Sequence, residues 1–325
     1  MNYQNKLVSI AMATYNGEKY LRKQLDSIYN QTYKNIEFIV CDDRSSDETV
    51  KILQEYKNKY GLKFFINEQN LGFVKNFEKA ASLCTGEYIA FADQDDIWLP
   101  DKIEILLSEI GNNSLICSDA KLIDENNNQV AESLVKNLNF DTEVFLEPPE
   151  LIFKKLFYTP YALGCTILFD KNLLKEALPI PEGFSYHDYW FLIVACKHSG
   201  VKFIDRPLVL YRRHSDNITG KLFSNTNFYS KIGSAVSALL KEKKQFRKKR
   251  FESKLKDINI LIDKTNLLTK NEKELFKESC CYFYSIITSK LSFEALKFII
   301  RNKTVLYNKK SYMYCLLKYI LLTLF

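Results

Sequence analysis

Through its first 110 residues the chain alternates short apolar runs with segments whose apolar positions recur every three or four residues. "KLVSIAMATYNG" reads as a buried strand that stops at an Asn-Gly turn. Leu21, Leu25 and Ile28 then fall at i, i+4 and i+7, which predicts an amphipathic helix from Glu18 to Asn30. "NIEFIVCDD" predicts a second strand closing on Asp42 and Asp43, and Ser45 with Glu48 has the spacing of a capping box for a helix through Val50, Leu53 and Tyr56. "LKFFINE", "GFVKNFEKAASLC" and "EYIAFADQDD" continue as strand, helix and strand. This alternation implies βαβ units, a parallel sheet and right-handed crossovers.

From 111 to 220 the pattern loosens. "SLICSDA" and "GCTILFD" predict strands, "HDYWFLIVACKH" a helix, and "KFIDRPLVLYRRH" a strand running into a basic loop. The polar, turn-rich stretch 123–150 predicts a surface excursion. The tail from 226 is helical by pattern, and its last 15 residues, "SYMYCLLKYILLTLF", span about 22 Å as a helix, too short to cross a bilayer.

Charge sharpens this division. Residues 1–225 hold 25 Lys and Arg against 31 Asp and Glu, whereas 226–325 hold 21 against 8, including "KEKKQFRKKR" at 241–250. The charge break divides residues 1–225 from a basic helical region over 226–325, and the loosening of the pattern divides 1–110 from 111–225. Eight cysteines occur without a C-x-x-C pair and mostly inside apolar runs, which argues for buried thiols rather than disulfides or zinc. With no signal-peptide pattern at the N-terminus, a cytoplasmic protein is expected.

In open parallel sheets, ligands bind beyond the carboxyl ends of the strands. Three of the four predicted ends are polar: Tyr15-Asn16-Gly17, Asp42-Asp43-Arg44, and Asp93-Gln94-Asp95-Asp96. The last crowds three carboxylates at the tip of an apolar run, where like charges raise one another's pKa unless a cation arrives. An EF-hand is excluded by Ile97 and Leu99 at the fifth and seventh positions. A Mg2+ or Mn2+ ion bridging substrate phosphates fits better. Neither a Walker lysine loop nor G-x-G-x-x-G is present. Tyr15 offers a stacking face for a nucleobase, and the Asp42–Asp43 pair offers acceptors for base or ribose. Asp188 at a helix start suits a general base, with Trp190 beside it as a platform for a sugar ring. Arg212, Arg213 and His214 could clamp a diphosphate.

Together, "VSIAMATYNGEKYLRKQLDSI", "IEFIVCDDRSSDET", "NLGFVKNFEKAA", "GEYIAFADQDDIWLPDK", "HDYW" and "YRRHSDNITG" resemble the family 2 glycosyltransferases of the GT-A fold, an α/β, Rossmann-like sheet flanked by helices. The likeness covers about residues 5–220 and is nearest to bacterial surface-polysaccharide transferases, including rhamnosyltransferase-like members. It implies an inverting transfer of a sugar from a nucleotide-diphosphate sugar to a glycan or lipid-linked acceptor, with Mg2+ or Mn2+. It also implies that Tyr15 stacks on the base, that Asn16 and Glu18 shape the ribose pocket, and that Asp43 accepts from the base. Asp93 would touch the ribose, Asp95 the metal, and Asp188 the acceptor hydroxyl. Arg212 and Arg213 would meet the diphosphate, and Trp98, His187 and Trp190 would line the acceptor side. Many relatives carry Glu-Asp where this chain has His187-Asp188.

The basic tail suits peripheral contact with the anionic inner face of the plasma membrane. No nucleic-acid partner is expected. The rival readings are a sugar nucleotidyltransferase, for which the glycine-rich lysine loop is missing, and an inactive glycan-binding or scaffold subunit.

Overall fold

A computed structural model describes residues 5–138, 140–158, 164–214, 249, 251–288 and 292–302. They fall into two compact units, Met1–Ile180 with Tyr186–His214, and Pro181–Ser185 with Ser215–Phe325.

The first unit begins β1 (Val8–Thr14), α1 (Leu21–Tyr29), β2 (Ile36–Asp42), α2 (Thr49–Tyr60), β3 (Lys63–Ile66), α3 (Phe73–Ser82), β4 (Tyr88–Ala92). This is the alternation read from the sequence, and its strands pair in parallel, β3–β2–β1–β4. Strands β1 and β4 are buried over nearly their whole length, as expected for a parallel sheet covered on both faces. Helix α1 buries the expected Leu21, Leu25 and Ile28 but starts at Leu21 rather than Glu18.

Helix α2 starts later than the capping-box spacing suggests. Ser45 turns inward, its hydroxyl donating to Asp42 Oδ2 at 2.6 Å, and Asp47 accepts from the Thr49 N–H at 3.0 Å. The carboxylate-rich end of β2 competes for the hydroxyl and wins because it is buried.

The remaining strands change direction. β5 (Ile97–Trp98) follows the acidic turn, and α4 (Lys102–Glu109) leads into β6 (Leu115–Ile123). The 123–150 excursion contains β7 (Gln129–Ala131), the short α5 (Leu134–Asn137) and the start of α6 (Pro149–Tyr158). Then come β8 (Ile167–Asp170), α7 (Leu174–Ala177), α8 (His187–Lys197) and β9 (Val201–Arg212). The sheet order is β3-β2-β1-β4-β8-β6-β9-β5, with β7 on β6; β8 runs antiparallel to both β4 and β6, while β9 is parallel to β6 and antiparallel to β5. The sheet is therefore parallel where the sequence alternates and mixed where the pattern loosens.

In the second unit, α9 (residues 251–264), α10 (Lys270–Thr288) and α11 (Phe293–Arg301) bury Ile258, Leu261, Phe276, Phe283 and Phe298. Asp257 accepts from both the amide and the hydroxyl of Ser185, at 3.0 and 2.9 Å. No described helix is long and apolar enough to cross a membrane. The run 241–250, apart from Lys249, and the 311–325 segment lie outside the described residues.

Gly86 marks the lower edge of the sheet. A Cβ there would meet the Leu7 carbonyl oxygen and the Ser9 nitrogen, both at 2.7 Å, and backbone atoms cannot swing away as a side chain could. Gly86→Ala should cost about 1–3 kcal/mol. Urea unfolding measures it; an unchanged midpoint would show that β1 and β4 tolerate separation at this point.

Candidate functional site

The turn after β1 is built from exposed chemistry on a buried base. Tyr15 is 51% exposed, while Thr14 beneath it is buried and donates its hydroxyl to Asp42 Oδ2 at 2.8 Å. Asn16 takes a positive φ of 47°, a conformation Asn tolerates better than most residues. Its side-chain oxygen accepts from the Ser46 N–H at 2.9 Å, and Glu18 accepts from the Glu48 N–H at 2.9 Å. Tyr15, Asn16 and Glu18 thus share one rim, where Asn16 and Glu18 are tied to the loop entering α2.

Asp43 departs from its expected role. It is 2% exposed, and its carboxylate accepts from Asn67 Nδ2, the Leu71 N–H and the Gly72 N–H at 2.8, 2.7 and 2.9 Å. At that burial and with three N–H donors from the 67–72 region on its carboxylate, Asp43 holds this loop beside the site rather than presenting an open acceptor to a base. Asp42 is likewise consumed, by Thr14 and Ser45.

At the end of β4 the acids do converge. Burial pushes the Asp93 carboxyl well above the usual range, and Asp96, Asp95 and Asp188 push it further. Asp96 is fully buried and pushed up to about 7 by burial and Asp95, although it accepts from the Arg212 N–H at 2.9 Å. Asp93, Asp96 and the Cys165 thiol bring ligand atoms within 4.8 Å of one another. Beneath them lies Lys102, fully buried, its Nζ donating to the Cys165 carbonyl at 2.6 Å and standing 3.1 Å from the centre of the Trp98 ring. Burial pulls the Lys102 ammonium down to about 7, against the pull of Asp96 and Asp93. Near neutrality the Lys102 amine is thus only partly protonated, and that fraction offsets part of the acidic charge.

Asp95 lies at the mouth of the cluster. Its Oδ2 is 2.8 Å from His214 Nε2, and the imidazole packs on the Tyr20 ring at 4.9 Å between centroids. A carboxylate oxygen and an imidazole nitrogen at this spacing, beside the other acids of the turn, form a donor set suited to a divalent ion.

Arg212 does not have the expected exposure. It is fully buried, donating to the Asp95 carbonyl at 2.7 Å, the Asp124 carbonyl at 3.1 Å and Asn127 Oδ1 at 2.8 Å, with its guanidinium over Tyr20. It braces the acidic turn from behind and is not presented to a diphosphate. Arg213 is half-buried beside Asn137.

Asp188 opens α8 as expected, with Oδ1 accepting from the Tyr189 N–H at 2.7 Å and Oδ2 from the Gly164 N–H at 2.9 Å. Burial nevertheless raises it to about 6, a value poised for proton transfer near neutrality.

The aromatic acceptor platform is corrected by the structure. Trp190 is 4% exposed and donates its indole N–H to the Ala177 carbonyl at 2.6 Å; Trp98 is 2% exposed under Lys102. Both rings are core residues, since the apolar cost of exposing an indole favours packing it wherever a partner surface exists. His187 is also interior, stacked on Phe77 at 3.8 Å and edge-on to Phe91, with neither ring nitrogen hydrogen-bonded among the described residues.

Gln94, Lys102 and Cys165 are the residues that sequence reasoning passed over. Lys102 did carry a signal, because a lysine at the first position of a helix opposes the helix dipole and asks for another reason to be there.

Burial holds His187 neutral, its pKa down at about 3. Unfolded histidine titrates near 6.5. Below that pH the unfolded chain binds a proton that the native chain refuses, so stability falls as pH drops from about 6.5 toward 3. His187→Phe should therefore lose about 1–2 kcal/mol less than wild type between pH 7 and 5 in urea unfolding. Equal losses would show that His187 is not kept neutral.

Comparison with known proteins bears on this arrangement. The family model for Glycosyl transferase family 2 matches residues 9–178. An uncharacterized glycosyltransferase of Methanocaldococcus jannaschii is 33% identical over 63% of this chain and 70% of its own length. The Escherichia coli UDP-Glc:alpha-D-GlcNAc-diphosphoundecaprenol beta-1,3-glucosyltransferase WfgD is 29% identical over 67% of this chain and 81% of its own.

Among solved structures, S. aureus TarS 1-349 in complex with UDP-GlcNAc superposes with a TM-score of 0.58 at 18% identity, covering 92% of this chain and 81% of that one. In another TarS crystal structure the protein spans only 47% of the chain. The mannosyltransferase PcManGT of Pyrobaculum calidifontis, in complex with GDP-Man and Mn2+, gives a TM-score of 0.57 at 12% identity, over 98% of this chain and 86% of that one. At such identities these two speak to the fold. With more than half of the chain under the family model, the protein belongs to glycosyl transferase family 2 and is a glycosyltransferase of the GT-A fold.

Proposed function

We propose that the protein transfers a sugar, with inversion, from a nucleoside-diphosphate sugar to a hydroxyl of a glycan acceptor in bacterial surface-polysaccharide synthesis. The observation that carries this reading is geometric: Asp188 Oδ2 accepts from the Gly164 N–H at 2.9 Å, and the next residue, Cys165, has its thiol within 4.8 Å of carboxylate oxygens of Asp93 and Asp96. A carboxyl suited to general-base work thus stands next to the acidic cluster.

Tyr15 is the stacking surface for the base, with Asn16 and Glu18 at the ribose edge. Asp93 touches the ribose, and Asp43 acts indirectly by holding the neighbouring loop. Asp95 and His214 would hold a Mg2+ or Mn2+ ion, which would supply positive charge to the diphosphate. Of the two arginines, Arg213 retains open surface for that diphosphate. Asp188 takes the proton from the acceptor hydroxyl as its oxygen bonds to the anomeric carbon. On the opposite face the bond from that carbon to the diphosphate oxygen breaks, and its electrons leave with the nucleoside diphosphate. The Gly164 N–H keeps the Asp188 carboxylate aimed.

The names of the relatives support the donor class and a lipid-linked acceptor: WfgD is named for UDP-Glc and a diphosphoundecaprenol glycan, and TarS holds UDP-GlcNAc. With 21 Lys and Arg against 8 Asp and Glu, the region 226–325 would bring the enzyme to an anionic membrane surface that displays such acceptors.

Wild type should gain thermal stability from a matching nucleotide sugar with Mn2+ or Mg2+, and Asp95→Ala should lose most of that gain. If no donor in a broad panel of UDP, dTDP and GDP sugars stabilises the wild type, the proposal falls. Asp188→Asn should cut transfer about 100- to 10,000-fold while leaving nucleotide binding within about twofold. In the wild type, the transfer rate should decline below about pH 6, as Asp188 takes up a proton and stops acting as a base. A rate independent of pH from 5 to 8 would remove Asp188 from that role.

A further inference from the structure

The proposed donor site is split between two turns, residues 14–18 after β1 and 93–96 after β4, and a single side-chain amide joins them. Gln94 Oε1 accepts from the Tyr15 N–H at 2.9 Å, and Gln94 Nε2 donates to the Tyr15 carbonyl at 3.0 Å. The parallel pairing of β1 with β4 ends at Met12 and Ala92. Beyond that point the Gln94 amide behaves as one more peptide group, continuing the ladder where the two backbones have already separated.

The neighbouring turn is shaped to admit it. A Cβ on Gly17 would lie 2.3 Å from Gln94 Oε1 and 2.6 Å from its Cδ. Gly17 does not have the left-handed backbone that would otherwise call for glycine. Its missing side chain is therefore what makes room for the amide. Few side chains could replace Gln94: asparagine is one methylene short, and an ionised glutamate lacks the donor for the Tyr15 carbonyl. Both bonds end on Tyr15 backbone atoms, so they fix where the ring is carried without depending on its chemistry.

We propose that Gln94 is a positioning residue that locks the aromatic platform to the acidic turn, so that the base and the diphosphate of one donor are met at a fixed separation. This rests on the reading of the cleft as a nucleoside-diphosphate site. Two turns that moved independently would have to be ordered at each binding event, and that ordering would be subtracted from affinity.

The test is a double-mutant cycle on the full chain, titrating UDP, dTDP and GDP with Mn2+ calorimetrically and continuing with whichever binds wild type tightest. Gln94→Ala should weaken that nucleotide about tenfold, the order expected when binding must order a turn that wild type already holds in place. Gln94→Glu should weaken it similarly. Gly17→Ala, which displaces the amide, should reproduce the loss in the wild-type background but add less than about twofold in the Gln94→Ala background. The KM for donor should rise with kcat within about threefold, and ligand-free melting temperatures should stay within about 2 °C, which a general structural defect would not allow.

If wild type binds none of the three nucleotides, the donor-site reading falls and the lock falls with it. If wild type binds and Gln94→Ala binds equally well, or the Gly17 and Gln94 effects simply add, the lock alone is overturned.

Discussion

The structure turns on an unfavourable interaction, the repulsion among carboxylates gathered where β4 ends. Such a cluster persists only if other parts of the fold supply compensating charge and hydrogen bonds. Lys102 supplies a cation from the interior, Arg212 donates from its amide and guanidinium, and His214 approaches Asp95 at the mouth. These three groups come from α4, the end of β9 and the residue pair just after it. Assembling the site is thus the same event as closing the second half of the sheet.

That compensation is incomplete, and the imbalance is useful. Asp93 and Asp96 remain raised and Lys102 is lowered, so the cluster is partly protonated at neutral pH, and an arriving cation would displace those protons. The protein thereby holds an electrostatic preference before any ligand is present, with the reorganisation cost met during folding.

Much of the first half was legible because local and global signals agree there. Short apolar runs and period-3.6 patterns placed β1 to β4 and α1 to α3, strand ends named Tyr15, Asp93 and Asp95 as candidates, and a helix start named Asp188. Side-chain direction was not legible. Asp43, Arg212, Trp98 and Trp190 have the chemistry of binding residues, yet each is turned into the protein, where hydrogen bonds or packing claim it. Sequence spacing reports which groups are near a site, whereas solvent access depends on partners distant in the chain: Leu71 and Gly72 for Asp43, Asn127 for Arg212, Ala177 for Trp190. The same limit hid Lys102, whose partner Cys165 is 63 residues away.

β4 is also the seam at which the sheet reverses, with parallel β1 on one side and antiparallel β8 on the other. Divergence among descendants of such an architecture can proceed unevenly. Replacements on the β8 and β6 side, including the long excursion after Ile123, leave the register of β1, β2 and β3 untouched. A lineage could in this way vary the far side of the seam while keeping the register of its parallel strands unchanged.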